Sequence, residues 1–138
     1  MANGESVTIG ERYTIECVEN EFINPQRSVY SITRDITHTV YDNGKKVFEI
    51  TQIAIAAFNP YTEQVMISSH SVNVESYSSG FTYVSQTQKS SLYDWTGYFV
   101  LSAKDIIVRK DYTNYTITAH ALVYYNGNKF DFSLIKGW

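Results

Sequence analysis

The sequence predicts one all-β domain, an antiparallel β-sandwich of about eight strands, and three observations carry that prediction. Apolar and polar residues alternate with a period of two along most of the chain. Two Asn-Gly pairs interrupt the alternation where hairpin turns belong. Helical periodicity is nearly absent. A closed or partly open barrel is the alternative, because a meander of long strands can also close on itself. Phase changes within several strands favour the sandwich, since bulges let long strands bend between packed sheets.

Residues 29–42 give the clearest strand. Tyr30, Ile32, Ile36 and Val40 share one face, and Ser31, Thr33, Asp35, Thr37 and Thr39 share the other. Asn43-Gly44 then tolerates positive φ at both central positions, as a type I′ hairpin turn demands. The return strand, 46–58, changes phase between Ile50 and Ile53, so a β-bulge is expected near Thr51-Gln52. Asn59-Pro60-Tyr61-Thr62 is a turn with Pro fixing φ at its second position.

Residues 65–74 form the next strand, with a phase change around Ser68-Ser69, and Ser78-Ser79-Gly80 marks a turn. Phe81, Tyr83 and Ser85 open another strand. Tyr93, Trp95, Phe99, Leu101 and Ala103 share one phase, interrupted by Gly97. Ser102 to Asp105 matches a capping box, but Ile106-Ile107-Val108 favour strand, so at most one helical turn is expected there. Tyr115, Ile117, Ala119, Ala121, Val123 and Tyr125 alternate best of all. Asn126-Gly127-Asn128 is a second hairpin signal, and Phe130, Phe132 and Leu134 complete the last strand.

The whole chain, 1–138, reads as a single domain, with residues 1–10 a flexible or edge-strand lead-in. A chain of this length buries a core without disulfides or metals. Its apolar content, 43%, argues against disorder. Net charge is −3 and the bases are scattered apart from Lys45-Lys46 and Arg109-Lys110, which argues against nucleic acid as a partner. Residues 1–21 hold Glu5, Glu11, Glu16, Glu19 and Glu21 against Arg12 alone, a solvated acidic segment or a docking edge for a basic partner. Cys17 is the single cysteine; with Ile15 and Val18 beside it, a buried structural thiol is expected. No apolar run approaches the roughly 20 residues of a transmembrane helix, and no signal peptide is visible.

Candidate chemistry is sparse. His38 falls in phase with Ile36 and Val40 and points to the apolar face or its rim, whereas His120 opposes the apolar phase. With His70 they form no metal-ligand spacing, and no nucleophile elbow, phosphate loop or CxxC occurs. No cofactor is expected. Paired carboxylates such as Asp94 and Glu75 could meet only through the fold. An enzyme with a cross-strand His and carboxylate is therefore a minority reading. Ser and Thr around Gly80 suggest an amphipathic hairpin in 68–91, but Ser85 and Thr87 break the apolar face that membrane insertion needs. Asn114-Tyr115-Thr116 is a glycosylation sequon.

The aromatics are more informative: Phe, Trp and Tyr reach 15%, with twelve Tyr. Flat rings stack on sugars or anchor protein interfaces. Tyr41 is out of phase with its strand, and Tyr98 and Tyr124 oppose the apolar phases of theirs, so a cross-strand Tyr98–Tyr124 ladder is expected if those strands adjoin. With Trp95 beside Gly97, these are the candidate ligand-binding residues. Composition and strand pattern resemble small exported bacterial β-sandwich proteins, a likeness of fold that does not carry function. The expectation is a non-catalytic extracellular module that binds a glycan or a protein through exposed aromatics. The second reading is a structural domain that forms homo-oligomers through sheet edges.

Overall fold

The computed structural model describes residues 7–12, 18–21, 28–127 and 129–138, with side chains from residue 29 onward. Cys17 and all of the acidic segment's side chains lie outside the described residues. Among the described residues ten strands follow in chain order: β1 (Val7–Arg12), β2 (Val18–Glu21), β3 (Ser28–Asp42), β4 (Lys45–Asn59), β5 (Gln64–Ser76), β6 (Phe81–Gln88), β7 (Thr96–Gly97), β8 (Phe99–Lys110), β9 (Thr113–Tyr124) and β10 (Lys129–Ile135). All pairings are antiparallel. The larger sheet has the order β1-β3-β4-β5-β7, with β2 also beside β3, and the smaller has β10-β9-β8-β6. The two sheets do not close into a barrel; they make a β-sandwich.

Local chemistry explains the turns. Asn43 and Gly44 have φ of 50° and 77°, the doubly positive pair of a type I′ hairpin. The Asn59 side chain accepts hydrogen bonds from the N–H groups of Tyr61 and Thr62 at 3.0 and 3.3 Å, an Asx-type brace for the β4–β5 turn. No helical turn forms at residues 102–105, where the sequence allows one at most. Residues 99–110 are continuous strand, paired along their length with β9, so β-branched residues prevail over the capping box.

The phase changes resolve differently from the simplest sequence account. Between β4 and β5 the register shifts at Ile55/Ala56, leaving Ser68 as the extra residue, as the alternation around Ser68-Ser69 suggested. There is no bulge at Thr51-Gln52. Instead β4 keeps one phase inward from Phe48 through Ile50, Gln52, Ala54 and Ala56 to Phe58, all buried. The apparent slip is a glutamine in the core. Strands β5 and β6, expected as one amphipathic hairpin, lie in different sheets.

The core has two apolar halves. Val40, Phe48, Ile50, Ile106, Val108 and Ile117 fill one, and Phe81, Tyr115 and Trp138 pack over it. Gly137 makes that closure possible, because it lies against the Thr116 carbonyl where a Cβ has no room. Ile32, Phe58, Val65, Ile67, Val100 and Val123 fill the other half, with Tyr30, Tyr125 and Phe130 against it. Each fully buried Phe contributes about 1.5–3 kcal/mol relative to exposure. Between β5 and β8 the chain crosses between sheets three times, and the last crossing, β7 to β8, uses the single residue Tyr98.

Candidate functional site

That one-residue crossing builds the most distinctive surface of the molecule. To leave one sheet and enter the other without a longer loop, Tyr98 adopts φ of 52°. Bulky residues rarely occupy this region. Its carbonyl accepts the Tyr125 N–H at 2.7 Å, which ties the crossing to the β9–β10 turn. The Thr96 hydroxyl lies 2.7 Å from the Phe99 carbonyl and 3.2 Å from that of Val65, bracing both flanks. The backbone is thus held while the Tyr98 side chain stays 83% exposed.

A cleft of about 420 Å³ opens beside it, lined by Thr62, Glu63, Gly97, Tyr98, Tyr125 and Asn126. Three connections converge here: the β4–β5 turn, the β7–β8 crossing and the β9–β10 turn. Gly97 pairs with Gln64, which sets Tyr98 next to Glu63, itself at φ of 54°. Tyr93, at φ of 66°, is fixed nearby through its N–H to the Ile67 carbonyl at 3.0 Å. Non-glycine residues held in this conformation concentrate where ligands are gripped. Burial, with smaller effects from Tyr30 and the Glu63 carboxylate, raises the pKa of the Tyr125 phenol, which stays a protonated donor.

Of the four residues singled out in the sequence, Tyr98 lines this cleft, and Trp95 is partly exposed two residues before Gly97. Tyr124 lies on the outer face of the smaller sheet. Its cross-strand partner is Phe99, not Tyr98, at a ring separation of 6.2 Å. Tyr41 stands at the far end of β3, where its carbonyl accepts from Lys136 Nζ at 2.9 Å. It sits roughly 35 Å along the strand from Tyr30. The structure therefore separates Tyr41 from the other three.

The expected Tyr98–Tyr124 ladder fails because Tyr98 is not on a strand. It fails also because Phe99 and Leu101 face solvent while Val100 and Ser102 face inward. Thr62 and Asn126 fall in turns that the sequence marked, Glu63 follows the first of them, and Tyr125 is read there as the end of the alternating run from Tyr115; none carried a binding signal. Their convergence is a property of topology.

The histidines are drawn into a different arrangement, a polar layer inside the core. Gln52 Nε2 donates to the Ser133 carbonyl at 2.9 Å, and a carbonyl only accepts, so the amide's orientation is fixed. Its other N–H, 2.9 Å from His38 Nε2, makes that ring nitrogen the acceptor. Gln52 Oε1 then accepts from His70 Nε2 at 2.8 Å. His70 Nδ1 in turn accepts from the Ser102 hydroxyl at 2.8 Å, and Gln88 Nε2 donates to Ser102 Oγ at 2.8 Å.

Both imidazoles are neutral in this pattern. Burial pushes His38 down to about 4; burial, then Lys104 and His120, push His70 to about 4. Ser102, His70 and Gln52 stand in the order of nucleophile, base and orienting group. They are buried between the sheets, however, whereas a nucleophile must reach its substrate. The layer fits cohesion of the sheets. Among the described residues, no three His, Cys, Asp or Glu side chains cluster as metal ligands, and no helix is long and apolar enough to cross a membrane.

Comparison of the chain with family models, curated proteins and solved structures returns no match.

Proposed function

We propose that this protein is a non-catalytic, extracellular or cell-surface binding module whose recognition site is the cleft beside Tyr98, and that its ligand is a glycan. The observation that carries this reading is Tyr98 itself. A large ring is kept exposed at a corner where glycine would be free of strain, on a backbone braced from both sides. The cleft volume falls in the roughly 300–1,000 Å³ range of small-ligand sites. Its lining combines phenol rings for stacking on sugar faces with the amide, hydroxyl and carboxylate groups that sugar hydroxyls need. Trp95 lies at the same end, whereas Trp138 packs over the opposite half of the core.

The test is tryptophan fluorescence titration of wild type and Tyr98→Ala against soluble cell-wall and storage polysaccharides. Saturable binding by wild type, weakened about tenfold or more in a mutant of unchanged Tm, supports the reading. Equal binding by both proteins would remove Tyr98 from the site.

A second reading, association of copies through the smaller sheet, is favoured by the outward Phe99 and Leu101, 53% and 44% exposed. Tyr124 and Leu122 stand opposite them across the strand pair. Exposed apolar groups side by side often mark interfaces. Sedimentation equilibrium decides it: a monomer at all concentrations rejects this reading.

A further inference from the structure

We infer that the cleft selects sugars carrying a free amine, with the Glu63 carboxylate receiving the ammonium group between the rings of Tyr98 and Tyr125. This deepens the glycan reading and rests on it. Among the described lining residues, Glu63 is the one formal charge; Thr62, Gly97, Tyr98, Tyr125 and Asn126 are neutral. A uronic acid or phosphorylated sugar entering here would bring a second negative charge against Glu63 with no cation among the described lining residues to offset it. An N-acetylated or plain hexose could donate hydrogen bonds to the carboxylate but would leave its charge uncompensated as it loses water on binding.

An ammonium group answers both demands. It gives the carboxylate a charge-assisted hydrogen bond. It also sits well against the negative faces of phenol rings.

The frame is also rigid enough to discriminate. Asn59 braces the turn ahead of Glu63, and pairing of Gln64 with Gly97 fixes the residue after it. Little ordering is then needed at the moment of binding. Turn-exposed Glu63 carries none of the core, so replacing its carboxylate leaves the sandwich intact.

The experiment is calorimetric titration of a β-1,4-linked glucosamine tetramer and its fully N-acetylated counterpart. It is run at about pH 6, where most of the glucosamine amines are protonated, and low salt. Wild type, Glu63→Gln, Glu63→Asp and Tyr98→Ala are compared. The expected result is about tenfold or greater preference of wild type for the amine tetramer. Glu63→Gln abolishes that preference, Glu63→Asp partly keeps it, and Tyr98→Ala weakens both ligands.

Equal affinity for the two tetramers, unchanged by Glu63→Gln, overturns amine selection. If Tyr98→Ala still weakens both in that case, the glycan reading survives on its own. Binding of neither tetramer also overturns amine selection, and the polysaccharide panel then decides the broader reading separately.

Discussion

Tyr98 sits where an L-residue with a side chain meets a cost of roughly 1–2 kcal/mol. The sequence places Gly at position 97 and Tyr at 98, although only Tyr98 carries positive φ there. The strain makes a stability prediction separate from binding. Tyr98→Ala keeps the strain and loses an exposed ring, so its Tm should stay near that of wild type. Tyr98→Gly removes the strain and should be more stable than Tyr98→Ala by about 1 kcal/mol, a few degrees in Tm. Both variants should lose ligand. Thermal melts that place the glycine variant below the alanine variant would show that the corner is unstrained and would weaken the case for a retained functional ring. None of this is visible in alternation, because a one-residue crossing looks like one more position of a strand.

At the scale of the strand, β4 shows what periodicity reveals and where it misleads. The inward positions of β3 and β9 follow the apolar phase directly: Ile32, Ile36 and Val40, and Ile117, Ala119, Ala121 and Val123, are all buried. Asn43-Gly44 fixed the β3–β4 hairpin by its backbone needs alone. On β4 the outward residues Ile53 and Ile55 are as apolar as the inward ones, while the inward set includes Gln52. A reading based on hydrophobicity therefore saw a slip where there is a polar residue with a partner at each end. His38 was placed correctly on the apolar face, but His70 and Ser102, which complete the layer, carry no local signal because they come from separate strands. Gln52→Leu should accordingly be severe. It strands the buried His38 Nε2 and His70 N–H, at about 1–3 kcal/mol for each, and takes the donor from the part-buried Ser133 carbonyl. Urea denaturation should show a loss of about 3 kcal/mol or more. A loss under about 1 kcal/mol would mean those groups find water or other partners.

Across the whole molecule, the polar layer divides the core, with one apolar cluster on each side, and joins β3, β4 and β5 of the larger sheet to β6, β8 and β10 of the smaller. Such a layer makes cohesion depend on protonation. Protonating His38 puts an N–H on Nε2, facing the Gln52 N–H. Rotating the amide relieves that clash only by aiming its oxygen at the Ser133 carbonyl and by forcing His70 to move its proton to Nδ1. Lys104 and His120 add positive potential around His70, and His38 Nδ1 is already buried without a partner.

The sign of the pH dependence follows from where protons bind. In the unfolded chain these histidines protonate near 6.5, and in the native protein only near 4, so the unfolded state holds more protons between those values. Stability is therefore fully present above about pH 7 and falls as pH drops through the window. The loss is up to roughly 3 kcal/mol per histidine, less than additive because Gln52 couples the pair. Against a total stability of about 5–15 kcal/mol for a domain, that is enough to open the sandwich in mild acid. Urea midpoints measured from pH 7 to 4.5 should fall continuously, while the native His38 and His70 ring resonances stay in the neutral form down to about pH 5. Native resonances of either residue titrating near 6.5, or a flat stability profile, would show that the layer is hydrated and does not set the acid limit of the fold.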